Sequence, residues 1–138
     1  MSFDSKLDSP TSRPTRVLVV EDEAEVINVL AELLTRHGYE VVPARNGVAA
    51  MVALTAPEPE NPHLVLLDLG LPLESGADVL SFLRNIMRSG IPVVVLTGST
   101  DTDLEKSVRS LGVSDYLRKP ASPHHILSAL SAARSISP

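Results

Sequence analysis

Residues 63–70 read HLVLLDLG: four apolar residues, Leu64–Leu67, in an unbroken row, then an aspartate, Asp68. A strand with one wet face alternates apolar and polar side chains. An unbroken apolar run needs cover on both faces, as in a parallel sheet layered by helices. The pattern recurs at Arg16–Val20 (RVLVV), residues 39–42 (YEVV), residues 92–96 (PVVVL) and residues 115–117 (DYL). Between these runs lie stretches of helical period. Val26, Leu30, Leu33 and Leu34 share a face before Gly38. Ala49, Val52 and Ala53 do so more weakly, and Val79, Leu80, Leu83, Ile86 and Met87 form the clearest stripe, closed by Gly90. Leu104, Val108 and Leu111 form a fourth, with Asp101 or Thr102 as cap and Gly112 as its end. Ile126, Leu127, Leu130 and Ala133 form the last, capped by Ser122 with Pro123 in its first turn. Five strands alternating with five helices, joined by right-handed crossovers, predict a doubly wound three-layer α/β sandwich.

Composition agrees. With 138 residues, 43% of them hydrophobic and 3% aromatic, the chain has material for one aliphatic core. Residues 1–15 read as a polar, Ser/Pro-rich tail and residues 16–138 as one domain; the Pro-rich stretch 56–62 (APEPENP) is too short to separate two. A net charge of -5 provides no basic stripe for direct nucleic-acid binding. The absence of cysteine excludes thiolate chemistry and permits a reducing compartment. No apolar run approaches a membrane span and the N-terminus lacks a signal-peptide core, so a cytoplasmic location is expected.

In open parallel sheets, ligands bind beyond the carboxyl ends of the strands. The first run leads into Glu21, Asp22 and Glu23, the third into Asp68, the fourth into Thr97 and Gly98, and the fifth into Lys119 and Pro120. The second, ending at Pro43 and Ala44, offers nothing ionisable. Taken singly these residues are ordinary: an Asp after a strand is usually a turn residue, and an acidic pair a solvated helix start. Together they bring carboxylates, a hydroxyl and an ammonium to one rim. Crowded carboxylates raise one another's proton affinity unless a cation intervenes, and an all-oxygen set suits a hard cation such as Mg²⁺. Asp68 is then the candidate nucleophile for a phosphoryl group, a transfer that needs mainly positioning and charge neutralisation. The four histidines, His37, His63, His124 and His125, lack the spacing of a zinc motif. Residues 98–101 (GSTD) lack the Gly-Lys ending of a phosphate loop and read as a helix cap. Arg109, Arg118 and Arg134 read as surface charges, with Arg118 near a partner face.

The segments 17–23 (VLVVEDE), 63–76 (HLVLLDLGLPLESG), 92–98 (PVVVLTG) and 114–120 (SDYLRKP) resemble the marker blocks of response-regulator receiver domains of two-component signalling, in the family's order and over nearly the whole folded region. The resemblance implies a flavodoxin-like (βα)5 fold with a five-stranded parallel sheet in the order 2-1-3-4-5. It implies that Asp68 is the phospho-acceptor, and that Mg²⁺ (or Mn²⁺) is bound by Asp22, Asp68, Glu21 through water, and the backbone carbonyl of Gly70. Thr97 would hold the phosphoryl group, Lys119 would pair with it, and Tyr116 would turn inward as Thr97 moves. The Lys119–Pro120 bond would be cis. It further implies a histidine kinase or histidine phosphotransfer protein as donor. A downstream protein would bind the face around the fourth helix, fifth strand and fifth helix, and the chain would be a monomer or a phosphorylation-dependent dimer. As the sequence ends after the fifth helix, no output domain is expected in it; a receiver portion of a larger hybrid kinase is the alternative. A phosphorylation-independent interaction module is a further alternative, and should have lost one of Asp22, Asp68, Thr97 or Lys119. Three departures stand out: Glu21 where Asp is commoner, Gly70 without a side chain, and Ala121 where Phe is common.

Overall fold

The structure, a computed structural model, describes residues 13–71 and 75–135. Most of the expected tail, through residue 12, lies outside the described residues. In order come β1 (Arg16–Val20), α1 (Ala24–Arg36), β2 (Glu40–Ala44), α2 (Gly47–Leu54), β3 (Leu64–Leu67), α3 (Gly76–Ser81, continuing as a π turn over Phe82–Ile86), β4 (Val93–Thr97), α4 (Thr102–Leu111), β5 (Asp115–Arg118) and α5 (Pro123–Ser135). The strands form one parallel sheet in the order β2-β1-β3-β4-β5.

The two-residue side-chain period of a strand divides the core. Leu18, Val20, Val65, Leu67, Val93 and Val95 face α2, α3 and α4, where Ala50, Leu54, Leu80, Leu83 and Val108 meet them. Val17, Val19, Leu64, Leu66, Val94 and Leu96 face α1 and α5, meeting Leu30, Leu34, Ile126 and Leu130. Each such Leu or Val removes enough apolar surface from water to contribute about 1.5–3 kcal/mol. That two-sided burial is why the strand runs show no alternation.

Several local expectations are met: Asp101 caps α4 with its carboxylate, Ser122 accepts from the amide of His125 in the first turn of α5, and Pro123 opens that helix. Others are displaced. β2 runs to Ala44 rather than residue 42, and Pro43 lies within it. A proline is tolerated there because β2 is an edge strand, paired only with β1, and needs no amide on its outer side. Val52 is 65% exposed and does not share a buried face with Ala49 and Ala53; α2 buries Gly47, Ala50 and Leu54 instead. Its sequence, GVAAMVAL, is apolar all round, so it does not specify an inward face. Ile86, expected in the α3 stripe, is 71% exposed. The amide of Met87 bonds the carbonyl of Phe82, five residues back. The extra residue in that turn rotates the helix surface, so Ile86 is turned out of the core while Met87 stays partly buried against it. The helix then stops at Arg88, whose φ of 56° is left-handed, two residues before Gly90.

Candidate functional site

The sheet's hydrogen bonding continues one residue past the strands and pins the rim. The amide of Glu21 bonds the carbonyl of Ala44 at 3.0 Å, that of Asp68 the carbonyl of Val20 at 3.0 Å, and that of Lys119 the carbonyl of Thr97 at 2.8 Å. Three strand ends thereby hold the chemical side chains in register. A further constraint acts beneath Asp68. A Cβ on Gly76, at the start of α3, would fall 2.3 Å from the Asp68 carbonyl oxygen, so only glycine lets the helix approach so closely. The Gly76 amide also bonds the Leu69 carbonyl, and Ser75 and Asp78 close a capping box over the same helix start.

Glu21, Asp22 and Asp68 each offer a carboxylate oxygen, and these oxygens lie within 4.8 Å of one another. It is the one such acidic or histidine cluster among the described residues. Glu21 is 2% exposed and Asp68 8%. The Lys119 ammonium enters the group, with Nζ donating to Glu21 Oε1 at 2.7 Å and Asp68 Oδ2 at 3.3 Å. Burial raises the proton affinity of Glu21 above the usual 4.5; the Lys119 and Glu23 hydrogen bonds pull it back without cancelling that, and the charge of Asp68 adds to it. For Lys119, burial alone would lower the pKa, but the hydrogen bond to Glu21 and the charges of Asp68 and Glu21 outweigh it, leaving the ammonium above 10.5. One ammonium thus balances only part of the acidic cluster. Hard oxygen donors, close spacing and surplus negative charge all fit a small divalent cation.

Gly70 is exposed, and its amide donates to Asp68 Oδ1 at 3.1 Å. A Cβ there would lie 3.8 Å from the same oxygen, an ordinary contact, so the bare position is not forced by crowding. Thr97 is 1% exposed, and its Oγ1 accepts from the amide of Ser99 at 3.2 Å. The Lys119–Pro120 bond is cis, as the resemblance implies. Tyr116 is already turned inward, 7% exposed, with the Arg109 and Arg118 guanidinium carbons 5.1 and 5.8 Å from its ring centroid. Those arginines are exposed surface charges, as expected, and they also cover an aromatic ring; Arg134, likewise exposed, lies in the same way over Tyr39. Of the histidines, His63 accepts the Arg16 amide through Nδ1, while His37, His124 and His125 are exposed.

Arg45 was missed in the sequence. It follows β2 directly, and its Nε and Nη2 donate to the Asp22 carbonyl at 3.2 and 3.0 Å, tying the acidic turn after β1 to the β2 end. The signal was available: the second run ends at Pro43 and Ala44, and Arg45, the very next residue, is ionisable, which corrects the expectation that this strand end offers nothing ionisable.

Comparison with known proteins gives the same picture over nearly the whole chain. The response regulator receiver domain family matches residues 17–131. The transcriptional regulatory protein KdpE of Mycobacterium tuberculosis is 40% identical over 119 residues, which are 86% of this chain and 50% of that protein. The DNA-binding response regulator MtrA of Mycobacterium leprae is 39% identical over 118 residues, 85% of this chain and 50% of that protein. The chain therefore spans about half the length of these relatives. Among solved structures, a response regulator receiver protein from Pseudomonas putida superposes with a TM-score of 0.81 at 30% identity, covering 88% of this chain and 98% of that one. The strand order, the acidic rim and these matches together establish that the chain belongs to the response regulator receiver domain family.

Proposed function

We propose that this receiver domain accepts a phosphoryl group on Asp68 from the phosphohistidine of a histidine kinase or phosphotransfer protein, and that the modified rim changes a partner-binding face. The observation that carries this reading is the Lys119 ammonium between Glu21 and Asp68, inside a cluster of three carboxylates. A phospho-independent module has no need of that arrangement. In the transfer, an Asp68 carboxylate oxygen forms a bond to phosphorus as the P–N bond to the donor imidazole breaks, and the imidazole departs with the bonding electron pair. The Gly70 amide on Oδ1 and Lys119 on Oδ2 fix the carboxylate's orientation. Thr97 Oγ1 accepts from Ser99, which leaves its own hydrogen free for a phosphoryl oxygen, and Lys119 offsets the incoming charge. Glu21, Asp22 and Asp68, with the Gly70 carbonyl, would hold Mg²⁺ (or Mn²⁺), which supplies further neutralisation of phosphoryl oxygens. Arg45 would steady the turn that presents Asp22.

An apolar groove between α1 and α5, lined by Val26, Val29, Leu33, Ala121, Pro123 and Ile126, opens beside Lys119 and offers the donor a surface. The small Ala121, where the family commonly carries Phe, widens it. Because the mycobacterial relatives are about twice as long, a receiver that controls an output region, attached or separate, is the natural setting. A cytoplasmic location follows from that setting, and no helix among the described residues is long and apolar enough to cross a membrane.

Incubation with Mg²⁺ and a small acyl-phosphate donor should add one phosphoryl mass to the protein and none to Asp68→Asn. No addition to the parent, under conditions that label a control receiver, would sink the reading. Equal labelling of the variant would move the acceptor elsewhere.

A further inference from the structure

The turn between β4 and α4 carries Thr97, and it is held from outside by a side chain of β5. The Ser99 amide donates to Thr97 Oγ1 at 3.2 Å, and the Ser99 carbonyl accepts from Arg118 Nη1 at 2.9 Å. The other arm of that guanidinium, Nη2, pairs with Glu105 Oε1 on α4. The second oxygen of Glu105 takes Nε of Arg109 at 2.9 Å. One carboxylate thus aims two guanidinium groups, and both lie over the Tyr116 ring.

Any one of these contacts is a surface ion pair of small worth. Joined, they close a loop from the turn after Thr97, through β5, to α4 and over Tyr116. The Tyr116 hydroxyl is buried without a hydrogen-bond partner, so the polar tip of the ring does not hold it inward. Its cover does. The planar fork meets Ser99 and Glu105 through two separate nitrogens, whereas a lysine at this position would have to draw both acceptors to a single nitrogen.

We propose that Arg118, aimed by Glu105, is a positioning residue that fixes the Ser99 turn, and through it the Thr97 hydroxyl, while keeping Tyr116 closed against the core. Its effect on phosphoryl transfer rests on the acceptor reading above; its hold on Tyr116 does not. The chain has two tyrosines and no tryptophan, so in a Tyr39→Phe background Tyr116 is the sole emitter. In donor-free protein, Arg118→Lys should raise the acrylamide quenching constant of Tyr116 about twofold to fivefold, the population change expected when a stacked planar guanidinium gives way to a strongly hydrated ammonium. Under labelling by a small acyl phosphate with Mg²⁺, the same variant should lower the maximal rate about tenfold through misplacement of Thr97, leaving half-saturation by the donor unchanged. Glu105→Gln keeps an acceptor for Arg118 and should fall between parent and Arg118→Lys in both measurements. An unchanged quenching constant in Arg118→Lys overturns the proposal, and so does a maximal rate within about twofold of the parent. If the parent takes no label, the acceptor reading falls by itself, and the quenching measurement alone decides the clamp.

Discussion

At the scale of single residues, the site is defined by how charge is shared. Glu21 is the most deeply buried of the three carboxylate residues, and it bonds Lys119 more closely than Asp68 does, at 2.7 against 3.3 Å. Burial holds its pKa above 4.5, so in the folded chain it keeps a proton that the unfolded chain has already released. The stability it contributes is fully present below about pH 4.5 and is lost as pH rises through the folded-state value. In metal-free buffer, thermal unfolding scans of Glu21→Gln should therefore show a smaller loss of Tm than the parent as pH rises from about 4.5 through the folded-state value. Equal slopes for the two proteins would contradict the assignment. The placement of Glu21, Asp22, Asp68, Thr97 and Lys119 was legible from strand ends alone. The ionic cover of Tyr116 was not, because it depends on which way three long side chains fold back, and no spacing rule reports that.

At the scale of elements, the strands announced themselves and the helix faces did so unevenly. Unbroken Val and Leu runs can only be buried on both sides, so β1, β3 and β4 were visible to within a residue or two. α2 was legible as a helix but not in its orientation, since GVAAMVAL has no polar face to mark the outside. α3 carries a convincing 3.6-residue stripe that the π turn interrupts. The interruption makes an unequal pair: Leu83 is 1% exposed and Ile86 71%. Denaturant unfolding should find Leu83→Ala destabilised by about 2–5 kcal/mol, the usual cost of truncating a packed core residue. Ile86→Ser should change stability by under about 0.5 kcal/mol. Equal costs would mean that the stripe runs through unbroken.

At the scale of the whole molecule, the fold concentrates negative charge at one end of a sheet whose faces are both apolar. A ligand that binds only the folded state stabilises all of it by mass action. At a Mg²⁺ concentration about 100 times its dissociation constant, the unfolding free energy should rise by about 2.7 kcal/mol. Asp22→Ala should lose most of that increment at the same concentration, as read by thermal denaturation with and without Mg²⁺. An identical increment in the variant would remove Asp22 from the metal site. The layered α/β class was readable from the alternation of elements and the strand order came with the family resemblance, whereas the identity of donor and target lies in surface detail such as the Ala121 groove.

The proline within β2 has a consequence for aggregation. A parallel sheet of this kind has two open edges, and an exposed edge is a template on which another chain can add a strand. On one edge, Pro43 leaves no outward amide for an added strand and Glu40 adds charge beside Arg16. On the other, β5 begins and ends with Asp115 and Arg118. Both edges are thereby discouraged from templating a second sheet, even as crowded copies meet in solution. An edge guarded in this way disfavours the strand-by-strand growth that leads to fibres.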